Sequence, residues 1–428
     1  KLDADRLFAF PPSYYAEERV ERITARVASV DVAARTAHLL DGRALRYDRL
    51  LFATGARARP ATFPGGDLPG VLVLRTLRDA GAVLDRVASP GLERAVLVGG
   101  GPLSLELAEG LLHQARRRAC PIHLTILLRG DRFLRGALDA EASRLVQARL
   151  AQAGVEVVSH ATVASAAPGP DGAVGSVTLS SGRTVPCQLL ALAIGVLCNT
   201  EALAGQPVAL GRHGGVVVDR QLRALDPAGQ PVPGLFAAGD VAEVDGHLLQ
   251  LWEPARAQGQ VAGANMAGSA PSQTWDPGAH YFATRLFDLD FAALGRSADE
   301  PGGADAVVQR DGVKSGAPSA GAAYRKLVFD GDRLVGALLL GHGAAAVRRR
   351  GRLYKRLIDE RHDVAGVRDD LLRPDFDLRG WLARQAPQEP PPKLHPGRRP
   401  GEGHDAPKSG VLRRPGASPG LAAVAGLS

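Results

Sequence analysis

The sequence is poor in sulfur and in aromatic side chains. In 428 residues it has three cysteines and one methionine, and aromatics make up 5%. Cys120, Cys187 and Cys198 show neither a Cys-x-x-Cys nor a metal-ligand spacing. That excludes a disulfide scaffold, a zinc module and a dithiol redox centre within this chain. Each cysteine reads instead as a small buried hydrophobe. No apolar run reaches the ~18–20 residues a membrane span needs, and the N-terminus carries no signal-peptide pattern. A cytoplasmic protein without membrane contact is expected. None of the eleven histidines falls into a metal or triad pattern, so no metal site is expected. The net charge is only +7, and part of it lies after Ala386, where six basic residues face three acidic ones. The remaining excess is too mild for a nucleic-acid footprint and suits anionic nucleotides and acidic partner proteins.

Glycine is plentiful (51 residues), and several glycines stand in short clusters just after apolar runs. Alternating segments from Glu21 to Asp48 predict a three-strand meander, followed by a buried strand, Leu50–Ala53, that ends in Thr54-Gly55. A new unit opens with a helix over Leu77–Ala88, a strand over Ala95–Val98, three glycines and a helix from Leu103 to about Arg118. The strand His123–Leu128, a helix over Ala140–Ala153, a second meander and the run LLALAIG (189–195) complete it. Beyond Gly195 come a strand over Leu235–Ala238, a helix over Ala255–Ala267, alternating strands from about Ser272, and a helix over Ala344–Asp359. The Pro/Gly-rich segment 386–428 is expected to be disordered.

Two stretches look alike. DGRALRYDRLLFATG (41–55) lies over SGRTVPCQLLALAIG (181–195) at an offset of 140 residues, with Gly, Arg, Leu, Ala and Gly coinciding at 42/182, 43/183, 50/190, 53/193 and 55/195. Because the preceding meander also recurs, a duplicated nucleotide-binding unit is expected. By that register the first copy's Gly-rich loop would fall before Lys1, so the front of the first unit is expected to be missing.

The strongest motif is AVLVGGGPLSLELAEGL (95–111), a strand, a Gly turn and a helix. Gly99 permits the tight turn, Gly101 lets the backbone approach a pyrophosphate, and the helix N-terminus holds its charge. Ser104 replaces the third glycine of the pattern and is still small enough for close packing. Glu106 sits early on this helix, where its carboxylate can point toward the nicotinamide end or simply complement the helix dipole. At the end of the second strand, where an acid would take the ribose hydroxyls of NAD, stands Leu128. Arg129 and Arg132 follow, either as solvated arginines or as partners of a 2′-phosphate. GLFAAGDVAE (234–243) is a buried strand ending in Gly239-Asp240, a carboxylate and a turn amide suited to a ribityl or ribose hydroxyl, or to a helix cap.

YDRLLFATG, VLVGGGPLSLELA, LLALAIGVLCNT, GLFAAGD and WEPARAQGQVAGANMAG, in this order, resemble the pyridine nucleotide–disulfide oxidoreductase superfamily. The likeness is nearest to its ferredoxin-reductase-like and nitrite-reductase-large-subunit-like branch and covers about residues 8 to 380. It implies an α/β chain of two Rossmann-like, three-layer nucleotide-binding domains plus a C-terminal α+β domain, the FAD domain being discontinuous and lacking its first βαβ unit. The expected divisions are 1–70 and 197–271 for FAD, 71–196 for NAD(P), 272–385 for the C-terminal domain and 386–428 for the tail. Val27, Thr54, Gly55, Gly239, Asp240, Trp252 and Ala255 would line FAD. Gly99, Gly101, Ser104, Glu106, Arg129 and Gly195 would line NAD(P)H. The implied activity passes a hydride from NAD(P)H to flavin and electrons to a protein or small-molecule acceptor, with no acid–base residue assigned. The C-terminal domain would serve a homodimer. The alternative is a non-catalytic nucleotide-binding or interaction module that has lost its flavin grip. Three departures stand out: the N-terminal strand, glycine loop and helix that grip the FAD pyrophosphate are missing, Leu128 is at the acid position, and Cys198 stands where the family has proline.

Overall fold

A computed structural model describes residues 10–268, 272–296, 305–314, 317–342 and 344–385. The segment 386–428, expected to be disordered, lies outside the described residues. The chain forms two compact units. Among the described residues, one draws on 10–57 and 197–276, the other on 58–196 and 277–385.

In the first unit the apolar run at 50–52 becomes a short strand, Leu50–Phe52, parallel to Pro231–Ala237, with Leu235 beside Leu50 and Ala237 beside Phe52. These two strands close a five-stranded mixed sheet whose other members are Arg223–Leu225, Val216–Val218 and Ala242–Val244. The helix Trp252–Met266 buries Gln258, Val261, Ala262 and Met266, one face at helical spacing. Leu50, Phe52, Val216, Leu235, Ala237 and Val261 share one core. The expected meander is present as Val27–Asp31, Thr36–Leu39 and Ala44–Arg46.

The second unit contains a fully parallel five-stranded sheet in the order Val71–Val73, Leu189–Leu192, Arg94–Val98, His123–Leu127, Val155–Val158. Its central strands are near-continuous apolar runs because helices are wound over them. The helix Leu77–Ala88 starts at a capping box in which Thr76 Oγ accepts from the Asp79 amide while the Asp79 carboxylate accepts from the Thr76 amide. A five-stranded antiparallel sheet follows, Tyr281–Leu286 and Leu289–Gly295 at one side and Asp305–Lys314 at the other. It packs on the helices Pro102–Arg118 and Ala140–Gln152, and Leu105, Leu112 and Val146 share a core with Leu286, Phe291, Tyr324 and Leu340. The other side of that sheet is covered by the helix Ala344–Asp359 through Val347, Tyr354 and Leu357. The α/β class is as expected, and the C-terminal antiparallel sheet with its covering helix lies in the same compact unit as the parallel sheet.

The internal repeat is structural. Ala44–Arg46 and Thr184–Pro186 are strands 140 positions apart, and so are Ala56–Ala58 and Val196–Cys198. Gly42 and Gly182 make the same turn at φ 87° and 86°, and the flanking bonds Leu39 N–H to Arg43 O and Leu179 N–H to Arg183 O are both 2.8 Å. The strands Ala56–Ala58 and Val196–Cys198, where the chain passes between units, pair with each other. Arg59 donates to Gly195 and Asn199 donates to Gly55, each at 3.0 Å, which is one bond and its own repeat image.

Candidate functional site

Each unit gathers glycine turns at the carboxyl ends of adjacent parallel strands, where open α/β sheets bind ligands. In the second unit Arg94–Val98 leads into Gly99, at φ 129°. A Cβ there would lie 2.2 Å from the carbonyl oxygen of Ala193, on the neighbouring strand's exit. Only glycine lets the two strand ends approach so closely. Gly101 is the N-cap of the helix Pro102–Arg118, at φ −84°, and a Cβ on it would meet nothing within 4 Å. It has no side-chain cap. An open N-cap glycine at the start of a long helix, with amides facing out, is the donor set a pyrophosphate requires. Gly195, at φ 94°, stands equally open after the strand that neighbours Arg94–Val98.

Ser104 is fully buried and its hydroxyl has no hydrogen-bond partner. It packs like the glycine it replaces and does not reach toward a ligand. Glu106 is exposed, and its carboxylate accepts a hydrogen bond from Thr284 Oγ, 3.0 Å away on the first C-terminal strand. The carboxylate is thereby tied to the C-terminal sheet, a partner the sequence does not reveal. Leu128 is 1% exposed and lies under Gly100, whose Cβ would come 2.9 Å from a Leu128 methyl. The acid position is thus filled from below by the core. Arg129 is exposed.

In the first unit, the ends of Leu50–Phe52 and Pro231–Ala237 hold Thr54-Gly55 and Gly239-Asp240 side by side, with Ala238 N–H bonded to Phe52 O at 3.2 Å. Gly55 is at φ 63° and Gly239 at φ 81°. Thr54 is bracketed by Asn199. Its hydroxyl donates to the Asn199 carbonyl (2.7 Å), and the Asn199 side-chain amide donates to the Thr54 carbonyl (2.9 Å). Arg57 continues the chain of contacts to the Asn199 side chain and to Glu201. The Gly239 amide donates to Gln258 Oε1 (2.7 Å), a side chain only 3% exposed. Ala255 stands over the same turn, 3.7 Å from where a Gly239 Cβ would sit. Trp252, at the start of that helix, is 72% exposed with the Arg256 guanidinium 5.7 Å from its ring. Thr54, Gly55, Gly239, Asp240 and Ala255 therefore come together. Val27, on the meander strand Val27–Asp31, packs against the same core cluster as Leu50, Phe52 and Ala238. Asn199 and Gln258 were missed from sequence. Asn199 had one signal, its position 140 residues after Arg59 in the repeat, whereas Gln258 had none beyond its place on the helix.

Cys198, in the proline position, is buried and its thiol donates to the Asp240 carbonyl at 3.5 Å. Burial pushes its pKa up, and the Glu243 and Asp240 carboxylates add to the effect. Burial alone drives the Cys187 thiol up to about 12. Neither is a nucleophile at neutral pH.

The model of the pyridine nucleotide-disulphide oxidoreductase family matches residues 10–259. The chain belongs to that family. Its members are FAD-dependent oxidoreductases that use NAD(P)H. Among curated relatives, the ferredoxin–NAD(+) reductase component of a biphenyl dioxygenase system from Paraburkholderia xenovorans LB400 is 36% identical over 231 residues, 54% of this chain and 52% of its own length. A probable ferredoxin reductase, CtmF, of Castellaniella defragrans is 32% identical over 328 residues, 74% of each chain. The chain thus spans about half of the first relative and three quarters of the second. The solved ferredoxin reductase for the CYP199A2 system of Rhodopseudomonas palustris shares the fold, with TM-score 0.72 at 24% identity over 89% of this chain and 86% of that one. The resemblance read from the motifs, down to the ferredoxin-reductase-like branch, is borne out. None of the described helices is long and apolar enough to cross a membrane.

Proposed function

We propose that this chain is the nucleotide-binding body of an FAD-dependent NAD(P)H reductase that delivers electrons to a small redox protein. The carrying observation is the pair of glycine turns, one set in each unit, at the ends of parallel strands: Gly99–Gly101 with Gly195, and Thr54-Gly55 with Gly239-Asp240. Bound flavin would supply the chemistry, taking a hydride from the reduced nicotinamide and releasing electrons to the acceptor. The residues bind and orient. Gly101 and the helix behind it hold a pyrophosphate. Asp240 offers a carboxylate to a ribityl hydroxyl, at a turn that Gln258 keeps in place. Asn199 fixes Thr54-Gly55, and exposed Trp252 offers an aromatic face at the start of the helix that carries Gln258. The acceptor class, a ferredoxin- or rubredoxin-type protein, is supported by the ferredoxin–NAD(+) and rubredoxin–NAD(+) reductases to which the chain is similar. The same matches favour an enzyme over a non-catalytic module. A cytoplasmic location and a homodimer formed through the C-terminal sheet belong to the same proposal.

The test is to purify the chain, add FAD, remove the excess, and record the visible flavin spectrum and the NAD(P)H-dependent reduction of a ferredoxin. Retained flavin that bleaches on adding NAD(P)H is the expected result. A folded protein that stays colourless and binds nicotinamide nucleotide alone would point to the non-catalytic module.

A further inference from the structure

We propose that a cavity between the start of the helix Ala140–Gln152 and the C-terminal sheet binds a small monocarboxylate. The inference is independent of the flavin and nicotinamide reading. The cavity follows from a step-down in side-chain size across the sheet face that looks toward the helices. In the ladder Phe291 stands beside Leu340, and Leu340 beside Tyr324. These three are buried in the core shared with Leu105 and Val146. Two residues along each strand the row is Ala293, Leu338 and Lys326, and two farther it is Gly295, Gly336 and Val328. Neither glycine of that last row can carry a side chain. A Cβ on Gly295 would run into the Val335 carbonyl oxygen, and one on Gly336 into that of Arg296. The face thus falls away from filled core to bare backbone. It leaves a cavity of about 40 Å³, room for roughly three water-sized occupants or one short acid.

Ala293 and Leu338 give this cavity an apolar floor, while Asp139, His280, Arg296 and Lys326 bring one carboxylate and three basic side chains to its walls. Lys326 carries the argument. Its side chain is only 14% exposed, and Nζ donates to Asp139 Oδ2 at 2.8 Å, the one acceptor it has among the described residues. An ammonium has three donors, and leaving the others unmet in a nearly dry site costs free energy. Asp139 is already occupied by the Ala142 amide (2.9 Å) and the Tyr324 hydroxyl (2.6 Å). Arg296 lines the same space, with the exposed Asp330 3.9 Å from its Nη1. A carboxylate accepts from an ammonium and a guanidinium at once, and its short alkyl end is matched by the floor. Phosphate has polar oxygens on every side, and the floor offers them no donor.

Thermal melts of the full chain in sodium propionate, sodium phosphate and sodium chloride at equal ionic strength test this, because a ligand held only by the folded state raises the midpoint. Propionate is expected to raise it by about 2–4 °C over chloride and to saturate. Ala293→Val narrows the floor without touching a charge and should abolish the rise. Arg296→Gln, which keeps the Lys326–Asp139 pair, should weaken the apparent affinity roughly tenfold. Should Ala293→Val fail to fold, Arg296→Gln decides alone. No rise beyond that in chloride, a rise that does not saturate, phosphate matching propionate, or an Arg296→Gln protein that responds like its parent overturns the inference. None of these results bears on the nucleotide site.

Discussion

Replacing glycines 99 and 101 separately by alanine divides the work of the glycine loop into folding and binding. At position 99 the new methyl would sit 2.2 Å from the Ala193 carbonyl oxygen and 2.9 Å from its carbon, both backbone atoms of an adjacent strand exit. The φ of 129° is also closed to alanine without strain. A sparsely populated backbone conformation costs about 1–3 kcal/mol, and forcing two central strands apart adds to it, so Gly99→Ala should lose about 3–5 kcal/mol of stability. At position 101 nothing lies within 4 Å and φ is −84°. Alanine is a slightly poorer N-cap than glycine, but it also restricts the unfolded chain, so stability should change by less than about 1 kcal/mol. Its methyl, however, would project into the space through which a pyrophosphate reaches the helix amides. Losing one charge-assisted hydrogen bond of about 1.5–3 kcal/mol weakens nucleotide binding roughly 10- to 100-fold. Urea unfolding and calorimetric titration with NAD(P)H read the two effects independently. A Gly101→Ala protein that binds nucleotide like its parent would mean that the phosphates do not approach here, and the site would have to be sought elsewhere.

The carboxylate of Asp139 caps the helix Ala140–Gln152 through the Ala142 amide (2.9 Å). It also accepts from Tyr324 (2.6 Å) and Lys326 (2.8 Å) of the C-terminal sheet. Burial alone would raise its pKa, but the bonds from Lys326, Tyr324 and the Ala142 amide outweigh it and hold the carboxyl below its ordinary value. A depressed folded pKa means stability that is present above about pH 4 and is lost as pH falls through the folded value. Asp139→Asn should therefore flatten the acid limb of a pH–stability curve. Asp139→Ala should cost about 3–5 kcal/mol by stranding the Lys326 ammonium, and a loss below 1 kcal/mol would refute the clamp. Gln258→Ala leaves the Gly239 amide without its 2.7 Å acceptor. It should cost about 1–3 kcal/mol and lower the flavin content of the purified protein, unchanged flavin retention counting against the role of that turn. Thiol titration of the native protein should label exposed Cys120 quickly and reach Cys187 and Cys198 only on unfolding. Fast labelling of a second thiol would contradict the burial of these two.

Much of the architecture was legible because its causes are local. The helices Leu77–Ala88 and Ala344–Asp359 begin and end where periodicity and turn chemistry place them. Gly99 is required by a turn and by a close approach to Ala193 that a strand–glycine–helix pattern already encodes. The repeat offset of 140 carried through to paired strands and matching turns, since a duplicated segment keeps its own hydrogen-bonding order. Partners far apart in the chain were not legible. Glu106 meets Thr284, Asp139 meets Lys326, and Gly239 is held by Gln258. Leu128 turned out to be a floor beneath Gly100, where a carboxylate would have faced the ligand. The sequence by itself determined which segments are strands, helices and glycine turns, because backbone preference and apolar spacing act over a few residues. Which side chains close on one another was decided only by tertiary structure, because that depends on which faces of those segments the burial of apolar surface brings together.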